Sequence, residues 1–276
     1  MMTNILLPTD FSDNSKNAIR YSLQLYANEK CTFYLLNSAK VKASRSTSFS
    51  SKLGTTVLEN SKRDLLALEE ALQTEMPNDN HTFKIIASIN DLDDAIEMYT
   101  EKYAINLVVM GTKGATGAKE ILFGSNTTKI FKKVKSCPIL AVPENHDFVV
   151  PTQIAFPSDF NRYCDAKELY FLKKMANLYN SNIRVIHIHE TERLNEHQEN
   201  NVTTLKQYLK EYKHSFHWIQ NYTSKEKAIH EFIDEMHIEM LAMVHYSHSF
   251  MDRMLREPVI KKIGFHLKVP FLVIPE

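Results

Sequence analysis

The chain has 276 residues, 43% of them apolar and 24% charged, with no net charge when histidine is neutral. That length suits one large domain or two of ordinary size, each with enough apolar material for its own core. The charge balance excludes a broad electrostatic attraction to nucleic acid or to an anionic membrane, and apolar runs such as INLVVM and PFLVIP are too short to span a bilayer.

In chain order, the opening reads MMTNILLPTDF. It reaches an aspartate too soon for a secretory signal. Three scattered cysteines, Cys31, Cys137 and Cys164, form no CxxC pair and no zinc spacing, which fits a reducing compartment. A cytoplasmic protein is therefore expected. Short apolar strand runs follow: ILLP, CTFYLLN, HTFKIIA, INLVVM and PILAV. Between them lie helical patterns. Val57, Leu65, Leu68 and Leu72 share one helical face, and Leu92, Ala95, Ile96, Tyr99 and Tyr103 share another. Asp91, Asp93 and Asp94 open the second of these helices, where carboxylates suit the positive end of the dipole. The Ser-rich stretch VKASRSTSFSSK at 41–52 is read as a loop over the entrance to the strand ends.

The pattern then repeats. NILLPTDF at 4–11 is matched by QIAFPSDF at 153–160, and CPILAVPE at 137–144 by VPFLVIPE at 269–276. The second set of strand runs is QIAFP, IRVIHIH, SFHWIQ, EMLAMV and PFLVIP. Val202, Leu205, Leu209 and Tyr212 mark one helix, and Ile229, Phe232, Ile233 and Met236 another, with Thr223 and Glu226 as its capping box. Two domains, 1–145 and 150–276, follow from this repeat. Strands alternating with helices predict an α/β fold in each: a doubly wound parallel sheet with helices on both faces. Ligands of such folds bind outside the carboxyl ends of the strands.

Two segments sit at such ends. One is Pro8-Thr9-Asp10. The other is GTKGATGAKEILFGSNT at 111–127, which holds four of the chain's six glycines. It contains neither GxxxxGK[ST] nor GxGxxG. Its spacing is Gly111-x2-Gly114-x9-Gly124-Ser125, after a strand and before a helix that starts near Asn126 and carries Lys132, Lys133 and Lys135 in its last turn. A helix start offers free N–H groups and a positive dipole end to an anion. Glycines at 111 and 114 permit close approach of backbone to ribose or phosphate. Ser125, Thr127 and Thr128 add hydroxyls, and Asp10 could hold a phosphate-bridging metal or bond a ribose hydroxyl. The plainer alternative is a loop that only needs unusual backbone angles. Lys113 and Lys119 read as solvated loop charges.

On these residues the chain resembles the universal stress protein family, in a tandem form with two family domains. Gly111, Gly114, Gly124 and Ser125 match the family's G-x2-G-x9-G-[ST] motif, and Met110, Pro8-Thr9-Asp10 and CPILAVPE fit it as well. The resemblance implies five parallel strands per domain in order 3-2-1-4-5, ATP as ligand, with or without magnesium, and dimerisation through the last strand. In this chain the two halves could form that pair within one molecule, and homodimerisation is a further option. Carried over, Pro8, Thr9 and Asp10 line the adenosine side, Ser38 offers backbone to adenine, and Met110 packs near the base. Gly111, Gly114, Gly124, Ser125 and Asn126 hold ribose and phosphates. The implied function is an ATP-binding stress-response sensor. A slow ATPase or phosphotransferase using the same pocket, and an interaction module with an empty one, are the alternatives.

The second half departs from the motif. AMVHYSHSFMDRMLREPVIKKIG has no glycine before its helix, and Arg256, Glu257 and Pro258 stand near the positions of Gly124, Ser125 and Asn126. Pro258 has no N–H and Glu257 would repel phosphate, so one nucleotide per chain is expected. No metal site is expected, although His187, His189, His245 and His248 with Asp159 could gather around a transition metal.

Overall fold

The computed structural model describes all residues except 1, 40–46, 113–123, 189–192, 221 and 247–267; for 47–53 the backbone alone is described. The chain divides into two compact units, with the boundary between His146 and Asp147. Among the described residues the first unit runs β1 (Thr3–Pro8), α1 (Asp13–Leu25), β2 (Cys31–Ser38), α2 (Thr47–Glu75), β3 (His81–Ser88), α3 (Leu92–Lys102), β4 (Leu107–Gly111), α4 (Ser125–Lys133) and β5 (Ile139–Val142). The second runs β6 (Gln153–Pro157), α5 (Ala166–Tyr179), β7 (Asn182–Ile188), α6 (Glu196–Leu209), β8 (His214–Ile219), α7 (Lys225–Glu235), β9 (Met240–His245) and β10 (Phe271–Pro275).

In the first unit β1 pairs in parallel with β2 on one side (Ile5 opposite Phe33) and β4 on the other (Ile5 opposite Leu107). β2 continues to β3, and β4 to β5. The local order is 3-2-1-4-5. The second unit repeats it: β6 lies between β7 and β9, with β8 outside β7 and β10 outside β9. This is the predicted doubly wound fold, twice. Both faces of each sheet are covered, so the inner strands are apolar throughout rather than alternating. Ile5, Leu6, Leu7, Phe33, Leu35, Val108 and Val109 are buried in one unit, and Ile154, Phe156, Val185, Ile186, Leu241 and Phe271 in the other. β3 is the outermost described strand of its sheet and alternates between exposed and covered residues, as half-covered strands do.

The repeat extends to backbone strain. Phe11 (φ 63°) and Phe160 (φ 55°) turn left-handed after their Pro-Thr-Asp and Pro-Ser-Asp corners. In each corner the hydroxyl two residues earlier accepts the phenylalanine N–H, Thr9 Oγ1 at 2.9 Å and Ser158 Oγ at 3.2 Å. Ala104 (φ 47°) and His237 (φ 49°) sit at matching places just past α3 and α7. So few glycines leave non-glycine residues to occupy the left-handed region, where L side chains crowd the backbone.

Some boundaries differ from expectation. Residues 47–52, read as loop, are the first turns of α2. Serine prefers caps and turns, but a long helix anchored by buried Ser61, Leu65, Leu68 and Leu72 carries them. α4 ends at Lys133, so Lys135 lies beyond it. Tyr212 falls past the end of α6. The cap of α7 is Ser224, whose side chain accepts from Lys227 N, and not Thr223. Capping boxes do occur, unforeseen, at Asp165/Glu168 on α5 and Asn195/Gln198 on α6.

Candidate functional site

A cleft of about 730 Å³, its open mouth included, lies at the carboxyl ends of the first unit's strands. Nine of the ten residues singled out from sequence line it: Pro8, Thr9, Asp10, Ser38, Met110, Gly111, Gly124, Ser125 and Asn126. Gly114 lies outside the described residues, as do Lys113, Gly117 and Lys119. Ser15, Leu92 and Thr127 complete the described wall.

The β1 corner is built from side chains that satisfy its backbone. Thr9 Oγ1 lies 2.9 Å from Ser15 Oγ. The Thr9 carbonyl accepts from Asn37 Nδ2 at 2.8 Å, and Asn37 Oδ1 accepts from Ser61 Oγ at 2.8 Å. Asn37 and Ser61 are buried, so this polar chain is satisfied where water cannot reach. Asp10 stands exposed beside it. Its Oδ1 accepts from Ser12 N at 3.1 Å and Ser12 Oγ at 2.5 Å. At the end of β2, Ser38 Oγ donates to the Asn90 carbonyl at 2.6 Å and ties that strand to the start of α3.

The opposite wall is the start of α4. Gly124 is its N-cap and no side chain caps the helix, so the first-turn N–H groups have no intrahelical acceptor. Gly124 N donates to the Thr112 carbonyl at 2.7 Å. Buried Thr127 donates its hydroxyl to the carbonyls of Gly111 at 3.2 Å and Thr112 at 3.1 Å, which locks the helix start onto the end of β4. The helix axis therefore points its positive end into the cleft.

Two glycines have reasons that sequence reading did not supply. A Cβ at Gly111 would meet the Asn14 side chain at 2.7 Å. The close approach there is to α1 of the same unit. Gly124 has φ −59° and ψ 159°, a conformation open to any residue. Backbone angle does not require glycine there; its lack of a side chain leaves the N–H end of α4 uncapped and clear for an anion.

Asp93, read from sequence only as a carboxylate at a helix start, has a role that the sequence did not show. It is buried on the first turn of α3, and it accepts from Lys129 Nζ at 2.7 Å and Lys133 Nζ at 2.8 Å. Lys133 also pairs with Asp94. Burial pushes the Asp93 carboxyl up, but the hydrogen bonds from Lys129, Lys133 and its own amide outweigh burial and hold it at about 2. Leu92 beside it lines the cleft, so this clamp fixes the wall of α3 against α4. Asp91, Asp93 and Asp94 lie close enough to share a cation, but Lys129 and Lys133 already occupy that position. Only the sequence neighbourhood of Asp93 is visible in the chain; its partners come from another helix.

In the second unit Pro157, Ser158 and Asp159 line a cleft at the equivalent strand ends. His187 Nδ1 lies 2.9 Å from the Ser158 carbonyl, and its ring stacks on Phe160 at 4.8 Å. Among the described residues His187, His245 and Asp159 do not gather into a cation-sized cluster. His189, His248, Arg256, Glu257 and Pro258 lie outside the described residues. None of the described helices is long and apolar enough to cross a membrane.

Comparison with known proteins gives a consistent picture. Universal stress protein MJ0577 of Methanocaldococcus jannaschii is 28% identical over 157 residues, 51% of this chain and 95% of that protein. The crystal structure of a universal stress protein from Archaeoglobus fulgidus DSM 4304 spans 99% of this chain and 96% of its own, at 19% identity and TM-score 0.69. The cytoplasmic domain of a prokaryotic cation chloride cotransporter spans 99% and 95%, at 11% identity and TM-score 0.53. At these identities the two structures show the fold alone, in both halves. The model of the universal stress protein family matches residues 1–143, just over half of the chain. The chain belongs to the universal stress protein family.

Proposed function

We propose that the first unit binds one ATP per chain and that the protein acts as a nucleotide-dependent stress-response sensor in the cytoplasm. The observation that carries this reading is the convergence of the motif residues with an uncapped helix start in one cleft. In this reading the phosphates sit over Gly124 and Ser125, where the amides and dipole of α4 meet negative charge. Ser125 and Asn126 add side-chain donors. Met110 forms the apolar floor for the base. Ser38 has its hydroxyl engaged with Asn90, which leaves backbone at the end of β2 for the adenine edge. Asp10 is the one carboxylate among the described lining residues. It would serve a ribose hydroxyl or a magnesium ion, which commonly binds through one or two carboxylates and phosphate oxygens.

Asp10 gives little support to hydrolysis, because its Oδ1 already accepts two hydrogen bonds from Ser12. Binding without efficient turnover is the reading favoured here. Calorimetric titration of the purified chain with ATP tests it: a stoichiometry near one is expected. Failure to bind ATP at millimolar concentration would sink it.

A further inference from the structure

Among the described strands β8 ends the sheet of the second unit, and none of its six residues is buried. The outer N–H and C=O groups of an edge strand template another strand, so edges are commonly guarded by a charge, a proline or a bulge. β8 has none of these. It reads HSFHWI, its register with β7 runs unbroken from Ile183–His214 to Ile188–Ile219, and Trp218 is 42% exposed. β3, the outermost described strand of the first unit, is guarded by exposed Lys84 near its middle.

The ladder shows which groups face outward. Ile183 N donates to the Lys213 carbonyl at 2.8 Å, and Ile183 stands opposite His214. Bonding alternates along a strand, so Ser215, His217 and Ile219 turn to β7, while His214, Phe216 and Trp218 turn their N–H and C=O groups away from it. These three are evenly spaced about Phe216. An antiparallel copy of the same strand therefore matches them about a two-fold axis, and such an axis closes the pair. We propose that β8 pairs antiparallel with β8 of a second copy of this chain, Phe216 opposite its own copy and His214 opposite Trp218.

Side chains favour this occupant. The His214 and Phe216 rings lie 5.9 Å apart, and Phe216 and Trp218 both reach Phe160, at 6.4 and 5.9 Å. The row His214, Phe216, Trp218 thus lies on one face, and self-pairing lays it against its own reverse, aromatic on aromatic, with no charge set against a like charge within the strand. The same construction fails at β3. Cys31 N donates to the Asn80 carbonyl and Cys31 stands opposite His81, so His81, Phe83, Ile85 and Ala87 turn outward. Matching them to a copy would set Lys84 against Lys84, and like charges directly opposite destabilise a pair.

The test is sedimentation of the full chain from micromolar to millimolar concentration, read with the emission of Trp218, the chain's only tryptophan. A monomer–dimer equilibrium is expected, with emission shifting to the blue as dimer forms. Lys206 lies 5.2 Å from the centre of the Phe216 ring, and its copy approaches it across the axis, so added salt should strengthen the dimer. Phe216→Pro removes an N–H that β7 does not use and should weaken the dimer about tenfold or more; Phe216→Lys, which sets two cations on the axis, serves the same end if that variant fails to fold. Directly opposite residues of such a pair have Cα atoms about 5.5 Å apart, within disulfide reach. Phe216→Cys should therefore cross-link two chains on mild oxidation, while Ser215→Cys, set diagonally from its copy, should cross-link no faster than the wild-type chain. A monomer at every concentration, a dimer with unchanged Trp218 emission, a dimer weakened by salt or indifferent to both Phe216 variants, or equal cross-linking of the two cysteine variants would each overturn the proposal.

Discussion

Replacing Gly124 by Asp separates two demands placed on the start of α4. Gly124 is the N-cap, with backbone angles that aspartate adopts without strain, and aspartate is among the favoured N-caps. Relative to glycine the cap gains a few tenths of a kcal/mol, and the dipole adds about 0.3–1 kcal/mol. The folded chain should therefore melt at the same temperature or slightly higher. Phosphate binding should respond in the opposite sense. A carboxylate about 4 Å from a phosphate charge costs about 4 kcal/mol at an effective dielectric of 20, and salt reduces this to about 2–3 kcal/mol. The expected loss of ATP affinity is about 30- to 150-fold. Calorimetric titration at 0.15 M salt, paired with thermal unfolding, reads both effects. A variant of unchanged ATP affinity would refute the placement of phosphate at α4. A markedly destabilised variant would refute the reading of Gly124 as a cap of ordinary backbone.

Three further outcomes follow from the same geometry. Asp93→Asn removes a carboxylate whose folded-state value, about 2, lies below its ordinary one. The wild-type contribution, about 2 kcal/mol, is present above pH 4 and lost as pH falls through 2, so the variant should show a flatter stability profile in acid and looser ATP binding. Thr127→Val deletes the hydroxyl that bonds the Gly111 and Thr112 carbonyls; a loss of about 1 kcal/mol in denaturant unfolding is expected, together with weaker ATP binding. Ala104→Gly relieves a left-handed alanine and should stabilise by about 0.5–1 kcal/mol, after the greater freedom of glycine in the unfolded chain is subtracted; a lower melting temperature would contradict this.

The strands were legible in the chain because both faces of each sheet are covered, which writes Ile5–Leu7 and Val108–Met110 as unbroken apolar runs. The two halves were legible because the Pro-Thr-Asp-Phe and Pro-Ser-Asp-Phe corners require the same turn. The cleft was legible in outline, since strand-end residues and a glycine-led helix start must meet in this topology. What escaped was what depends on residues distant in sequence. Asp93 reads as one more carboxylate at a helix start until Lys129 and Lys133 arrive from α4. Gly111 reads as a ligand-facing glycine until Asn14 is seen against it. Asn37 and Ser61 are polar residues whose mutual bond is invisible in either segment alone. Local rules failed too at the start of α7, where the spacing of Thr223 and Glu226 reads as a capping box but the cap is Ser224, one residue later.

The measurement that bears most directly on the central claim is a titration of the full chain with ATP, followed at two methionine methyl groups. Met110 lines the first cleft and Met243 the second. One ATP per chain, with Met110 shifting to saturation and Met243 unmoved, is the expected result. A shift at Met243, or none at Met110, would contradict the assignment of nucleotide binding to the first unit.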